Sequence, residues 1–138
     1  MSDYKSIKAA IKTKLEAISG IDKVYGWEKG QIEGYPAAVI SGFELVDTWI
    51  DTRTDEYEIT FKMRIYQEME KEGKGPEVAE SILDNLVNSI IDAFRNDRTL
   101  GDSVVGCWVS AGSGWTDREL KMRILEINIK VKDVYDLS

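Results

Sequence analysis

Apolar and polar residues alternate from Glu56 to Gln67, reading EYEITFKMRIYQ. Tyr57, Ile59, Phe61, Met63 and Ile65 share one parity; Glu58, Thr60, Lys62 and Arg64 share the other. Successive strand side chains point to opposite faces, so this is the pattern of a half-buried β-strand. It predicts a central strand with one face on a helical layer and the other face polar. Upstream, Tyr35-Pro36 opens a second strand, where a missing N–H need not join a ladder. Ala37 to Ser41 is apolar on both parities, which predicts cover on both sides. Phe43, Leu45 and Trp49 keep the extended character on a shared parity, and Asp51 to Thr54 reads as a turn. The two strands then form a long β-hairpin.

Two stretches change period. Tyr4, Ile7, Ile11, Leu15 and Ile18 recur every three or four residues, predicting a helix over residues 3–18. Ser2 or Asp3 can cap its start and Gly20 can take the left-handed position after its end. Val78, Ile82, Leu83, Leu86, Val87, Ile90 and Phe94 predict a longer helix over 76–95. Pro76 suits its first position, and Glu77 suits the positive end of its dipole.

The remaining segments are less regular. Ile21 to Gly34 reads as a glycine-containing connector, with Trp27 as a lid over the core edge, and Glu68 to Gly75 as a charged connection. Ser103 to Ala111 predicts a strand, and AGSGWTD, Ala111 to Asp117, a glycine-rich turn. Glu119 to Val134 predicts the last strand. Its apolar parity switches at Ile124-Leu125, which implies a bulge or a change in the covered face. An amphipathic helix and a half-apolar strand each need a second layer. The expected fold is therefore α+β: a mainly antiparallel sheet of four to five strands, a long hairpin, and two helices on one face, in a single domain over residues 1–138.

Composition narrows the function more than the fold. The chain has 138 residues, one cysteine and no histidine. A chain this long buries enough surface to fold without a metal or a disulfide, and a lone Cys107 is compatible with a reducing cytoplasm. No apolar run approaches the ~20 residues that span a bilayer, and the first residues are too polar for a signal peptide. The net charge of −7 opposes electrostatic grip on nucleic acid. The lack of histidine removes the commonest general base and metal ligand.

Candidate chemical constellations are thin. Asp47, Asp51 and Asp55 recur every four residues, without the alternate spacing and central glycine of a calcium loop. Glu68, Glu70 and Glu72 alternate in a polar linker. The glycine-rich stretch at 111–117 lacks the Lys-Ser/Thr pair of a phosphate loop and opens no helix. Cys107 reads as a small core residue. No catalytic residue, metal or cofactor is expected.

Some surface residues invite a partner. Trp49 and Ile50 are large apolar residues inside the polar run from Asp47 to Asp55. Adjacent strand residues face opposite ways, so one helical layer cannot cover both. They are expected as interface anchors; the alternative is that Trp49 closes the end of the core and Ile50 is an isolated apolar residue on the surface. The mixed-sign strand face of Glu58, Lys62 and Arg64, with Glu126, Lys130 and Lys132, is a second surface expected to pair across subunits.

An ordered set of motifs runs over about residues 4 to 132. It comprises the N-terminal amphipathic helix, Tyr35-Pro36-Ala37-Ala38-Val39-Ile40, the alternating strand Tyr57 to Tyr66, the helix Ala79 to Phe94, and Asn96-Asp97-Arg98-Thr99-Leu100-Gly101. In order and spacing the chain resembles the tail terminator, or tail completion, proteins of long-tailed bacteriophages and prophages. Members often carry a second glycine after the Leu-Gly, where this chain has Asp102. The resemblance implies a homo-oligomeric ring, expected to be a hexamer, without enzymatic activity. It implies a ring that caps the tail tube protein and ends its polymerisation, meets the head–tail connector protein, and lets DNA pass without tight binding. The implied location is the virion tail or neck, and the host cytoplasm during assembly. Another neck component, such as a head-closure protein, shares these features. A small α+β ligand-binding domain would differ by a closed apolar pocket and no self-association.

Overall fold

The computed structural model describes residues 4–26, 34–49, 54–69, 76–101, 104–119 and 121–136. Trp27, Ile50, residues 51–53 of the hairpin turn, residues 70–75 and Asp102 lie outside the described residues. The elements run α1 (Tyr4–Glu16), β1 (Lys23–Tyr25), β2 (Ala37–Trp49), β3 (Thr54–Glu68), α2 (Pro76–Arg95), β4 (Gly106–Asp117) and β5 (Met122–Asp136). They form an α+β fold whose five strands make one sheet in the order β1-β2-β3-β5-β4. β1 is parallel to β2, and every other pair is antiparallel. The expected hairpin is β2–β3, joined in register from Ala37↔Tyr66 to Trp49↔Asp55.

Both helices lie on one face of the sheet, because that face carries the alternating apolar residues. Ile7, Ile11 and Leu15 of α1 are buried, as are Ala79, Leu83, Leu86, Ile90 and Phe94 of α2. All of these but Ala79 meet Ile59, Phe61, Met63 and Ile65 of β3 and Ile127, Ile129 and Val131 of β5 in one core. Phe61 has no exposed surface and stacks with Tyr4, ring centroids 5.5 Å apart. The first helix stops at Glu16, short of the expected end, and Gly20 takes the expected positive φ, 105°, in the turn beyond it. The turn after α2 is held by Asp97, whose Oδ1 accepts the Gly101 N–H at 2.9 Å while its carboxylate pairs with Lys14 Nζ at 3.0 Å.

Three expectations need correction. The connector after α1 contains β1, too short for any periodicity to show. The stretch from Ala111 to Asp117 is not a turn. It continues β4 and pairs residue for residue with Met122 to Asn128. Gly112 and Gly114 are tolerated there because an edge strand needs only one ladder, and β5 supplies it. The reversal falls after Asp117, with Lys121 at φ 55°. Third, the sheet face away from the helices is not polar throughout. Tyr25, Ala37, Val39, Tyr66 and Ile124 form a second buried cluster there, flanked by Tyr35, Trp115 and Met122. This cluster accounts for the parity switch in β5. Ile124 faces it and Leu125 faces the main core, with the β3–β5 register unbroken.

Candidate assembly surface

The mixed-sign face lies on the side of the sheet away from the helices, beyond the second cluster. Its charges are matched within the sheet by strand register. Lys62 Nζ lies 3.1 Å from Glu44 Oε1, and Lys130 Nζ 3.9 Å from Glu58 Oε2. Lys132 Nζ lies 2.8 Å from Glu56 Oε1, and that hydrogen bond raises the lysine's pKa. Arg64 stacks its guanidinium 5.4 Å over the Trp115 ring. Ion pairs of this exposed kind contribute little to stability. Their main effect is to give the face a fixed pattern of charge. Glu58, Lys62 and Arg64 are thus brought together, as expected from their shared parity.

Trp49 stands at the far end of β2 in register with Asp55, well along the hairpin from that group. The exposed apolar residues begin before it. Phe43, Leu45 and Val46 are 50%, 51% and 59% exposed, values that set them apart from the other large hydrophobic side chains described in the strands. Phe43 and Leu45 lie opposite Phe61 and Ile59, on the helix side. Val46 lies opposite Glu58, on the reverse. Tyr4 touches Phe43, ring centroids 4.6 Å apart, but leaves half of it open. The consecutive pair Leu45-Val46 was the available signal. Two adjacent apolar residues in a strand need cover on both faces.

At the opposite edge, α2 and β4 leave a groove of about 430 Å³, lined by Val87, Ile91, Val109, Leu125 and Ile127 among others. Arg95 and Arg98 flank an adjoining hollow beside Ile91 and Trp108. Ile82 and Val87, expected in the buried stripe of the long helix, are only half-buried. Val87 lines the groove. Further along the helix side of the sheet, Tyr57 donates its hydroxyl proton to Asp133 Oδ2 at 2.9 Å, so that two buried polar groups satisfy each other.

Nucleophilic chemistry finds poor material here. Cys107 is fully buried, and burial pushes its thiol up to about 12. Among the described residues, no group of three or more His, Cys, Asp or Glu side chains could hold a metal ion. Among them, too, no helix is long and apolar enough to cross a membrane.

This arrangement of a long hairpin, one mixed sheet and two helices on one face is a fold found in a virion. The chain shares it with a chain of the virion of a native gene transfer agent (GTA) particle, at TM-score 0.60 and 12% sequence identity. The match covers 91% of this chain and 92% of that one. At that identity the likeness is one of fold. No family model matches the sequence, and no curated protein is similar to it.

Proposed function

We propose that this protein is a structural component of a phage or prophage particle that closes the end of the tail. It caps the tail tube as a ring, expected to be a hexamer, ends tube polymerisation and presents its other side to the head–tail connector. The observation that carries this reading is the end-to-end fold likeness to a virion chain. The ordered motifs from Tyr35-Pro36 to Leu100-Gly101 add to it. The role is mechanical, with no reaction attached; a thiol held near 12 supports that, since almost no thiolate exists at neutral pH. DNA passes through the ring without sticking, which suits a chain of net charge −7.

In this reading Trp49, Ile50 and the ion-paired face of Glu58, Lys62 and Arg64 are contact surfaces. The test is to add purified protein to polymerising tail tubes and measure tube length and end occupancy by electron microscopy. Rings at tube ends and a stop in growth are expected. Tubes that elongate unchanged would refute the capping role, and binding to connectors alone would favour a head-closure component. The Trp49→Ala, Ile50→Ser double variant should keep its thermal midpoint and lose capping.

A further inference from the structure

The two edges of the sheet are complementary. β1 covers only Ala37 to Val39, so from Ile40 to Trp49 the outer edge of β2 has no strand partner among the described residues. That edge is a ridge of Phe43, Leu45 and Val46, ending on Asp47. The other edge, β4, carries the groove under α2, where Val87, Ile91 and Val109 lie beside the polar Ser110 and Ser113. Arg95 and Arg98 stand beside it. Neither arginine has an acidic partner among the described residues, and nor does Asp47. Asp84 also lines the groove, and Arg123 there is engaged by Glu80 at 3.5 Å.

The register places ridge and groove next to each other in height, with one row in common. Phe43 lies opposite Phe61, Phe61 opposite Ile129, and Ile129 opposite Val109. Likewise Leu45, Ile59, Val131 and Cys107 share one row across the sheet. The ridge thus begins at Phe43 and the groove ends at Val109 on one common row, at opposite edges of four strands; from there the ridge runs one way along the strands and the groove, toward Gly114, the other. A second copy therefore meets groove with ridge when it is shifted along the strands by the distance from Phe43 to Asp47, which also brings Asp47 to the row of Val109, beside Arg95 and Arg98. Such a contact uses two different patches, so each copy keeps one of each free, and repetition closes into a ring when the rotation allows.

We propose that Phe43 and Leu45 of one copy seat in the groove between α2 and β4 of the next copy, with Val46 covered on the reverse of the same edge and Asp47 set against Arg95 and Arg98. The occupant is a second copy of this chain because an exposed apolar ridge, with an acid unpaired among the described residues, meets a groove with two bases likewise unpaired at the opposite edge. This interface rests on the ring-forming reading above and specifies its contacts.

The experiment is native mass spectrometry of the full chain over a concentration series, with thermal unfolding as the check on folding. Leu45→Glu with Val46→Glu should weaken assembly about tenfold or more while the monomer still unfolds cooperatively. Asp47→Arg should weaken it less. Adding Arg95→Asp and Arg98→Asp to Asp47→Arg should restore it, which mere loss of stability would not do. If the wild-type chain assembles and the glutamate variant assembles equally well, this interface is overturned and the ring reading survives. If the glutamate variant fails to fold, the charge swap decides, and no restoration overturns the interface. If the wild-type chain stays monomeric at millimolar concentration, both readings fall.

Discussion

Val39 and Val46 sit on the same strand and pair with the same neighbour, yet Val39 is 1% exposed and Val46 59%. The near half of β2, Ala37 to Ile40, is buried on both faces: Ala38 and Ile40 in the main core, Ala37 and Val39 in the second cluster. The far half keeps its ladder to β3 and loses its covers, down to the partial contact of Tyr4 on Phe43. The ladder to β3 is thus common to the two halves, β1 adds a second one only at Ala37 to Val39, and burial differs between them. What differs is which layers reach that far. A ladder fixes geometry; only a second layer turns apolar side chains into stability. The far half is apolar without contributing to the fold, which is the condition for its serving a partner.

The comparison can be broken hardest at Phe61, on the boundary row between the halves. Phe61→Ala should cost about 3–5 kcal/mol by denaturant unfolding, as a fully buried aromatic truncation. A cost under about 1 kcal/mol would mean that the row is not core. The pair Val39→Ala and Val46→Ala sharpens it. The first removes two buried methyl groups and should cost about 2 kcal/mol, at ~0.8 each plus a small cavity. The second should stay within about 0.5 kcal/mol. Equal losses would remove the distinction between the halves.

The smallest effect tests the frame behind the core. The Gly101 N–H and then Lys14 hold the Asp97 carboxyl below its ordinary 3.8. A depressed folded value means that its contribution is complete above the unfolded value and fades as pH falls through the folded one. Asp97→Asn should lower the thermal midpoint near neutral pH by well under about 1 kcal/mol equivalent, since the group is mostly solvated. The gap between variant and wild type should close below about pH 4. A gap that persists unchanged in acid would assign the effect to something other than the carboxylate charge.

The helices, the hairpin and the central strand were legible because each carries enough residues for a period to repeat. The 3.6-residue spacing in Ile7, Ile11 and Leu15, and the twofold alternation from Tyr57 to Ile65, report the layer they bury against. β1 was not legible, because three residues contain no period. The far half of β4 was misread because Gly112 and Gly114 look like punctuation, and only the presence of β5 overrides that preference. The ion pairs of the mixed-sign face depend on register, which the parity of one strand does not contain. For the candidate site, parity grouped Glu58, Lys62 and Arg64 correctly. It also placed Phe43 and Leu45 on the helix side, but periodicity says nothing of where a helix stops.

Two serines mark a further property of the edges. Ser41 stands unpaired between Ile40 and Gly42, and Ser110 between Val109 and Ala111. Each bends its hydroxyl back to the neighbouring strand, Ser41 Oγ to the Lys62 carbonyl at 3.2 Å and Ser110 Oγ to the Asn128 carbonyl at 3.3 Å. Lys62 and Asn128 are themselves opposite each other, so the two irregularities occupy one row at the two outer margins. A margin that kinks cannot template a foreign strand along its whole length. Copies of this chain are thereby steered away from zipping into an endless fibril. Deleting Ser41 and Ser110 together would straighten both margins, and the expected price is amyloid-like growth detectable by thioflavin fluorescence.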